Sequence, residues 1–196
     1  MKKKAIVAVV ALVLVLCCAM GGTLAWLVAK TDPVVNTFTY GDINIDLSES
    51  ENLNLKMIPG NDITKDPKVT VKAGSEACWL FVKVEKSATY DSYLENCAIA
   101  TGWTELASAA GTNYKVYYRD VDADTAKAGT SYQVLAEDKV TVLDKVTKSM
   151  MEDIKNGTKT QPTLTFTAYA VQLDGFNNPE NSVEENAALA WTEINK

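Results

Sequence analysis

The sequence contains no histidine. That absence removes the residue most often used as a general base at neutral pH, and the commonest zinc ligand. Ser-His-Asp and Cys-His nucleophilic systems are excluded, and an H-E-x-x-H zinc centre cannot be built. Carboxylate-only catalysis stays formally open, but among 25 acidic residues coincidental pairs are inevitable and none stands out. The expectation is a protein that is not an enzyme and uses no cofactor. Basic charge is also in short supply, with 19 Lys and Arg against the 25 acids and a net charge of −6. Nucleic-acid affinity comes chiefly from clustered Lys and Arg displacing counterions, so no nucleic-acid partner is expected. Cysteine is scarce too: Cys17, Cys18, Cys78 and Cys97 form no C-x-x-C redox or metal motif. No repeat of solenoid period is present.

One long apolar run does occur, from Ala5 to Met20, directly after Lys2, Lys3 and Lys4. A basic stretch followed by an apolar core of this length is the pattern of a secretory signal peptide. Gly21-Gly22 interrupt the run short of the roughly 20 residues a bilayer span requires. Thr23-Leu24-Ala25 then offers a small-residue cleavage site, so cleavage is expected between Ala25 and Trp26. The alternative is an uncleaved anchor continuing through Trp26-Leu27-Val28. The bulky Leu16 before Cys17 argues against lipidation. The organisation expected is a signal peptide at residues 1–25, an extension at 26–35 and one folded domain at 36–196. No sorting motif or apolar tail follows Trp191. Loss of Lys2, Lys3 and Lys4 leaves 16 basic residues against 25 acids, a charge near −9, which favours solubility and makes self-association sensitive to salt and pH. In an oxidising exterior Cys78 and Cys97 are able to pair. A disulfide closing a loop of this size adds roughly 3 kcal/mol, and two free buried thiols are the equal alternative.

Downstream, apolar residues alternate with polar ones at Phe38 and Tyr40, at Ile43, Ile45 and Leu47, and at Leu53, Leu55 and Met57, the period of half-buried strands. Pro59-Gly60-Asn61-Asp62 marks a turn, and Ile63 to Val71 reads as one further strand. In the run from Cys78 to Glu85, the residues Cys78, Leu80, Val82 and Val84 share a face, the best central-strand pattern in the chain. The stretch from Ser87 to Gly111 reads as irregular with one short helix. Strands return at Tyr114 to Arg119, Tyr132 to Leu135, Lys139 to Val142 and Thr163 to Leu173. Val146, Met150 and Ile154 recur every four residues, a helix stopped by Asn156-Gly157, and a short terminal helix is expected around Ala187 to Ile194. Seven to nine short strands with one or two minor helices point to a mainly β, antiparallel β-sandwich preceded by the signal-peptide helix.

Asp120, Asp122 and Asp124 alternate as in a calcium loop. The sixth position is Thr125 rather than glycine, and the twelfth is Ser131 rather than a bidentate glutamate, so a solvated acidic loop is the favoured reading. Trp79, Trp103, Tyr117 and Tyr118 have the chemistry to stack on glycans, but in a sandwich such residues belong more often to the core.

The segments Gly21-Gly-Thr-Leu-Ala-Trp26, Val35-Asn-Thr-Phe38, Gly41-Asp-Ile-Asn-Ile-Asp-Leu47 and Pro59-Gly60-Asn61-Asp62 together resemble the signal region and first strands of the TasA/camelysin family. The likeness runs from Lys2 to about Glu85, more loosely over Thr163 to Leu173, and Tyr117-Tyr118-Arg119 and Ala128-Gly129-Thr130 also look like family versions. The resemblance implies Sec export, cleavage after Ala25 by a SipW-like signal peptidase, and a jelly-roll domain. It also implies a fibre-forming role at the cell surface or in a biofilm matrix. In such fibres an N-terminal segment of one subunit completes the sheet of the next, and here the donor would begin at Trp26, Leu27 and Val28. The partners implied are further copies of the chain, the signal peptidase, and other matrix or cell-wall components. The peptidase label attached to the family is not carried over to a chain without histidine. The competing expectations are a monomeric secreted module binding glycan or a surface protein and, third, a secreted hydrolase.

Overall fold

The structure, a computed structural model, describes residues 41–50 and 56–196. Its organising element follows from one feature of sequence: between Cys78 and Val82 apolar residues occupy both parities, Cys-Trp-Leu-Phe-Val, so neither face of a strand built from them suits water. This segment forms β4 (Cys78–Lys86), flanked on one side by β7 (Tyr114–Val121) and on the other by β10 (Leu164–Gln172). The two-residue β6 (Thr104–Glu105) extends the sheet beyond β7, giving the order β10-β4-β7-β6. A second sheet runs β1 (Ile45–Ser48), β3 (Lys68–Val71), β8 (Thr130–Gln133), and a third runs β2 (Asp62–Thr64), β9 (Lys139–Val142), β5 (Leu94–Glu95). Every strand pairing is antiparallel. Among the described residues four α-helices accompany the sheets: α1 (Tyr90–Tyr93), α2 (Ala123–Ala128), α3 (Lys148–Lys155) and α4 (Val183–Ile194). The mainly β sandwich expected from the strand pattern is the architecture found.

Three apolar clusters hold these layers. Val69 and Val71 of β3 meet Cys78, Leu80, Val82 and Val84 of β4 between the first two sheets. Ile63, Tyr90, Tyr93, Leu94, Leu135, Val140 and Val142 pack beneath the third. On the opposite face of β4, Trp79 and Phe81 pack with Val116, Tyr118, Ala187 and Ala190, so α4 lies over the outside of the four-stranded sheet. Trp191 of that helix sits 5.3 Å from the Phe81 ring and 5.2 Å from Tyr169, centroid to centroid. Burying each large apolar side chain stabilises the fold by about 1.5–3 kcal/mol relative to exposure.

Both faces of β4 are therefore covered, and α4 is longer than the periodicity indicated. The Ser182 hydroxyl accepts from the Glu185 amide while the Glu185 carboxylate accepts from the Ser182 amide, a capping box that starts the helix at Val183 rather than near Ala187. Ile63 to Val71 is two strands in two different sheets. Pro67 removes a ladder donor, and the buried Asp66 turns its carboxylate to the Ser50 amide at 3.0 Å and to the Ser50 hydroxyl. The segment from Ser87 to Gly111, expected to be irregular, contributes α1, β5, β6 and five buried side chains, Tyr90, Tyr93, Leu94, Trp103 and Leu106. The helix expected to stop at Asn156-Gly157 is α3, with Asn156 closing it and Gly157 in the left-handed region. The strands expected around Phe38, Tyr40, Leu53 and Leu55 lie outside the described residues.

Candidate assembly edge

A sheet that is not closed leaves unpaired N–H and C=O groups along its edge strands, and proteins keep such edges short, charged or proline-broken. Among the described residues, the edges β1, β2, β5, β6 and β8 have four residues or fewer, whereas β10 has nine. Its sequence, Leu-Thr-Phe-Thr-Ala-Tyr-Ala-Val-Gln, carries no charge and no proline. None of its residues is buried, although β4 beside it is buried over most of its length.

The register fixes which backbone groups are free. Leu164 pairs with Lys86 and Gln172 with Cys78. Just beyond the strand, the Ser87 amide donates to the Thr163 carbonyl at 3.0 Å and the Leu173 amide donates to the Ala77 carbonyl at 2.9 Å. Hydrogen-bonded pairs alternate along an antiparallel ladder, so the odd-numbered residues bond to β4. The N–H and C=O groups of Leu164, Phe166, Ala168, Ala170 and Gln172 therefore point to the open side. The side chains of Leu164, Phe166, Ala168 and Ala170 pack against the sandwich interior, and so do those of Ile45 and Leu47 on β1, the edge of the facing sheet. Among the described residues, this flank of the sandwich thus presents two unpaired edges above a partly exposed apolar seam.

The residues singled out in the sequence lie elsewhere. Ala25, Trp26, Leu27 and Val28, the expected cleavage site and donor segment, are outside the described residues. Cys78 and Cys97 are free thiols, which corrects the expected pairing. Cys78 begins β4, while Cys97 shares a cavity wall with Val84, Lys86 and Tyr117 near the strand's far end. Some six residues of extended chain separate these positions, on the order of 20 Å, where a disulfide needs Cα atoms within about 7 Å. Burial raises both thiols, Cys78 to about 11.

Asp120, Asp122 and Asp124 do not converge. Asp122 caps α2, accepting from the Thr125 amide at 3.0 Å and its hydroxyl at 2.7 Å, and these bonds hold its carboxyl below the usual range. Asp120, one residue before the end of β7, is in register with Trp79 on the outer face of the sheet, and Asp124 sits in the first turn of α2. Among the described residues no three His, Cys, Asp or Glu side chains are gathered as metal ligands. Trp79, Trp103 and Tyr118 are buried and Tyr117 is half-buried, as expected of core aromatics. No helix among the described residues is long and apolar enough to cross a membrane.

The edge strand was visible in the sequence as threonine-rich alternation, but nothing there marked it as an edge. No family model matches this chain, and no curated protein matches it.

Proposed function

We propose that the chain is an exported structural protein that assembles with copies of itself by strand addition, with the nine-residue edge β10 as the acceptor. The observation that carries this reading is the edge itself: five N–H and C=O pairs face outward along a strand with no charge or proline to block a newcomer. The donor is the apolar segment at Trp26, Leu27 and Val28, freed when a signal peptidase cuts after Ala25. The TasA/camelysin resemblance of the N-terminal half supports the same reading and implies a place at the cell surface or in a biofilm matrix. About ten ladder hydrogen bonds at roughly 0.5–1.5 kcal/mol net each give on the order of 5–15 kcal/mol. That range is comparable to the entropy cost of association, so burial of the donor's side chains tips the balance.

The test compares the exported chain with one lacking residues 26–31, by light scattering and electron microscopy. The intact chain elongates into fibres, faster as salt rises because its charge near −9 is screened. The shortened chain folds and stays monomeric. Equal polymerisation by both, or none by the intact chain across salt and pH, would leave a monomeric secreted binding module as the better account.

A further inference from the structure

The chain has a single arginine, Arg119. Its register partner on β4 is Leu80, a residue of the sandwich interior, so the guanidinium is directed inward from β7 rather than into solvent. It lies over the Tyr132 ring, 3.7 Å from the centroid, with the Trp103 ring 5.4 Å away on a neighbouring segment. Trp103 is itself fixed by its indole N–H, which donates to the Gln133 carbonyl at 2.9 Å. Gly102 backs the group so closely that a Cβ there would stand 3.3 Å from Nη2.

An inward cation normally has an acid beside it, since leaving a buried charge unpaired is costly. Among the described residues Arg119 has no ion pair and no hydrogen bond, and its Nε is buried without a partner. Burial lowers its affinity for the proton. The two acids close by in the chain or cavity do not serve it. Asp120 belongs to the opposite face of the sheet, and Glu137 is held by Lys139 at 3.0 Å.

The guanidinium opens on a shallow cavity of about 420 Å³ whose walls include Thr101, Ser131, Gln133, Glu137, Ala100 and Ala136. The Thr101 hydroxyl and Glu137 carboxylate beside the guanidinium, together with the small apolar side chains of Ala100 and Ala136, suit a polyhydroxylated ring better than a bare anion. At the rim, Glu137 holds a left-handed backbone conformation, φ 61°, a strain that gathers at ligand-holding loops.

We infer that this cavity binds an acidic sugar, a uronic-acid ring whose carboxylate is taken by the terminal nitrogens of Arg119. Its ring hydroxyls donate to Glu137 and exchange hydrogen bonds with Thr101. The carboxylate supplies the missing counter-ion, and the stacked aromatics hold the guanidinium plane for it, a charge-assisted geometry that lysine cannot reproduce.

Because Arg119 is the only arginine, its Nε–Hε gives one arginine signal in a nitrogen-15 spectrum of the full chain. Titration with glucuronate is expected to shift that signal and the Trp103 indole N–H saturably, while glucose leaves both in place. Acetate, lacking the ring, binds about tenfold more weakly or less, a difference of roughly 1.4 kcal/mol. Arg119→Lys, followed through the Trp103 signal, weakens glucuronate about ten- to a hundredfold. Thr101→Val, at an exposed wall position that leaves the arginine intact, weakens it by roughly threefold or more. Four results would overturn the inference: no saturable shift with glucuronate, equal affinity for acetate, unchanged affinity in both variants, or an Arg119 signal that moves with protein concentration in the absence of sugar. The last would assign the counter-ion to a carboxylate of a second copy.

Discussion

Two proline substitutions one residue apart separate the outer edge of β10 from its inner ladder. Ala168 directs its N–H outward and Thr167, in register with Lys83, directs its own towards β4. Proline lacks the donor and fills its place with a ring, which edge strands accept only on the open side. Ala168→Pro therefore leaves every β4–β10 hydrogen bond in place, and its thermal midpoint stays within a few degrees of the parent, a stability change under about 1 kcal/mol. An incoming strand, however, meets a ring where it needs a donor. One orphaned carbonyl costs about 1–3 kcal/mol and the steric displacement adds to it, so the critical concentration for assembly rises roughly ten- to a hundredfold. Thr167→Pro has the reverse signature. It orphans the Lys83 carbonyl inside the sheet and lowers stability by about 2–4 kcal/mol, with a midpoint drop on the order of 5–15 °C. The assay is a pair of measurements on each variant, thermal unfolding by circular dichroism and assembly by scattering against concentration. If Ala168→Pro assembles at the parental critical concentration, β10 is not the acceptor. If both variants unfold alike, the inferred alternation of the ladder is wrong.

Two further outcomes follow from the titratable groups. Hydrogen bonds lower Asp62, Asp66, Asp122 and Glu185 in the folded state, to Thr141, Ser50, Thr125 and Ser182 respectively. Their contribution is therefore full above the ordinary carboxylate range, near 4, and is lost as pH falls through the lower folded values. With no histidine in the chain, the thermal midpoint should be flat from about pH 5.5 to 8 and fall below about pH 4, and a step near pH 6.5 in unfolding scans would refute this. The thiols of protein taken from aerobic medium should remain free in intact-mass measurements. A native-state maleimide assay at pH 8 should find Cys78 all but inert, since a thiol near 11 is ionised in about one molecule per thousand. A Cys78–Cys97 crosslink in the intact mass would require the two ends of β4 to be misplaced.

Much of the fold was legible in the residues. The turn at Pro59-Gly60, the alternation of Thr163 to Leu173 and the four-residue period through Val146, Met150 and Ile154 each gave the right element, because local patterning and tertiary packing agree there. β4 was the most visible strand but half read. Both parities of Cys78 to Val82 are apolar, and the expected core position of Trp79 was not linked to a covering helix. The Ser182-Glu185 capping box was an available sign that the terminal helix begins earlier. The segment from Ser87 to Gly111 was opaque because its buried aromatics sit on two-residue strands and turns, where no period develops. Its contacts are set by distant partners such as the Ile99–Leu135 bridge. The pairing of Cys78 and Cys97 was drawn from the oxidising compartment alone, and it failed because Cys78 starts β4 while Cys97 lies near that strand's far end. Arg119 drew no notice beyond its place in a tyrosine-rich strand, since an unpartnered inward charge is defined only once the opposite sheet supplies Tyr132.

The nine-residue register between β10 and β4 also determines how the domain bears mechanical load. If a guest strand lies along the outer edge of β10, tension along a fibre runs parallel to the strands and reaches the domain through that ladder. All of the β10–β4 hydrogen bonds are then strained together in shear, and none opens until several fail at once, whereas bonds pulled from one end part in succession. Forced unfolding is governed by the rate of crossing that barrier rather than by equilibrium stability. In a fibre assembled that way, the β10–β4 ladder would resist stretching strongly along the strands and peel readily when a strand is lifted sideways from its end.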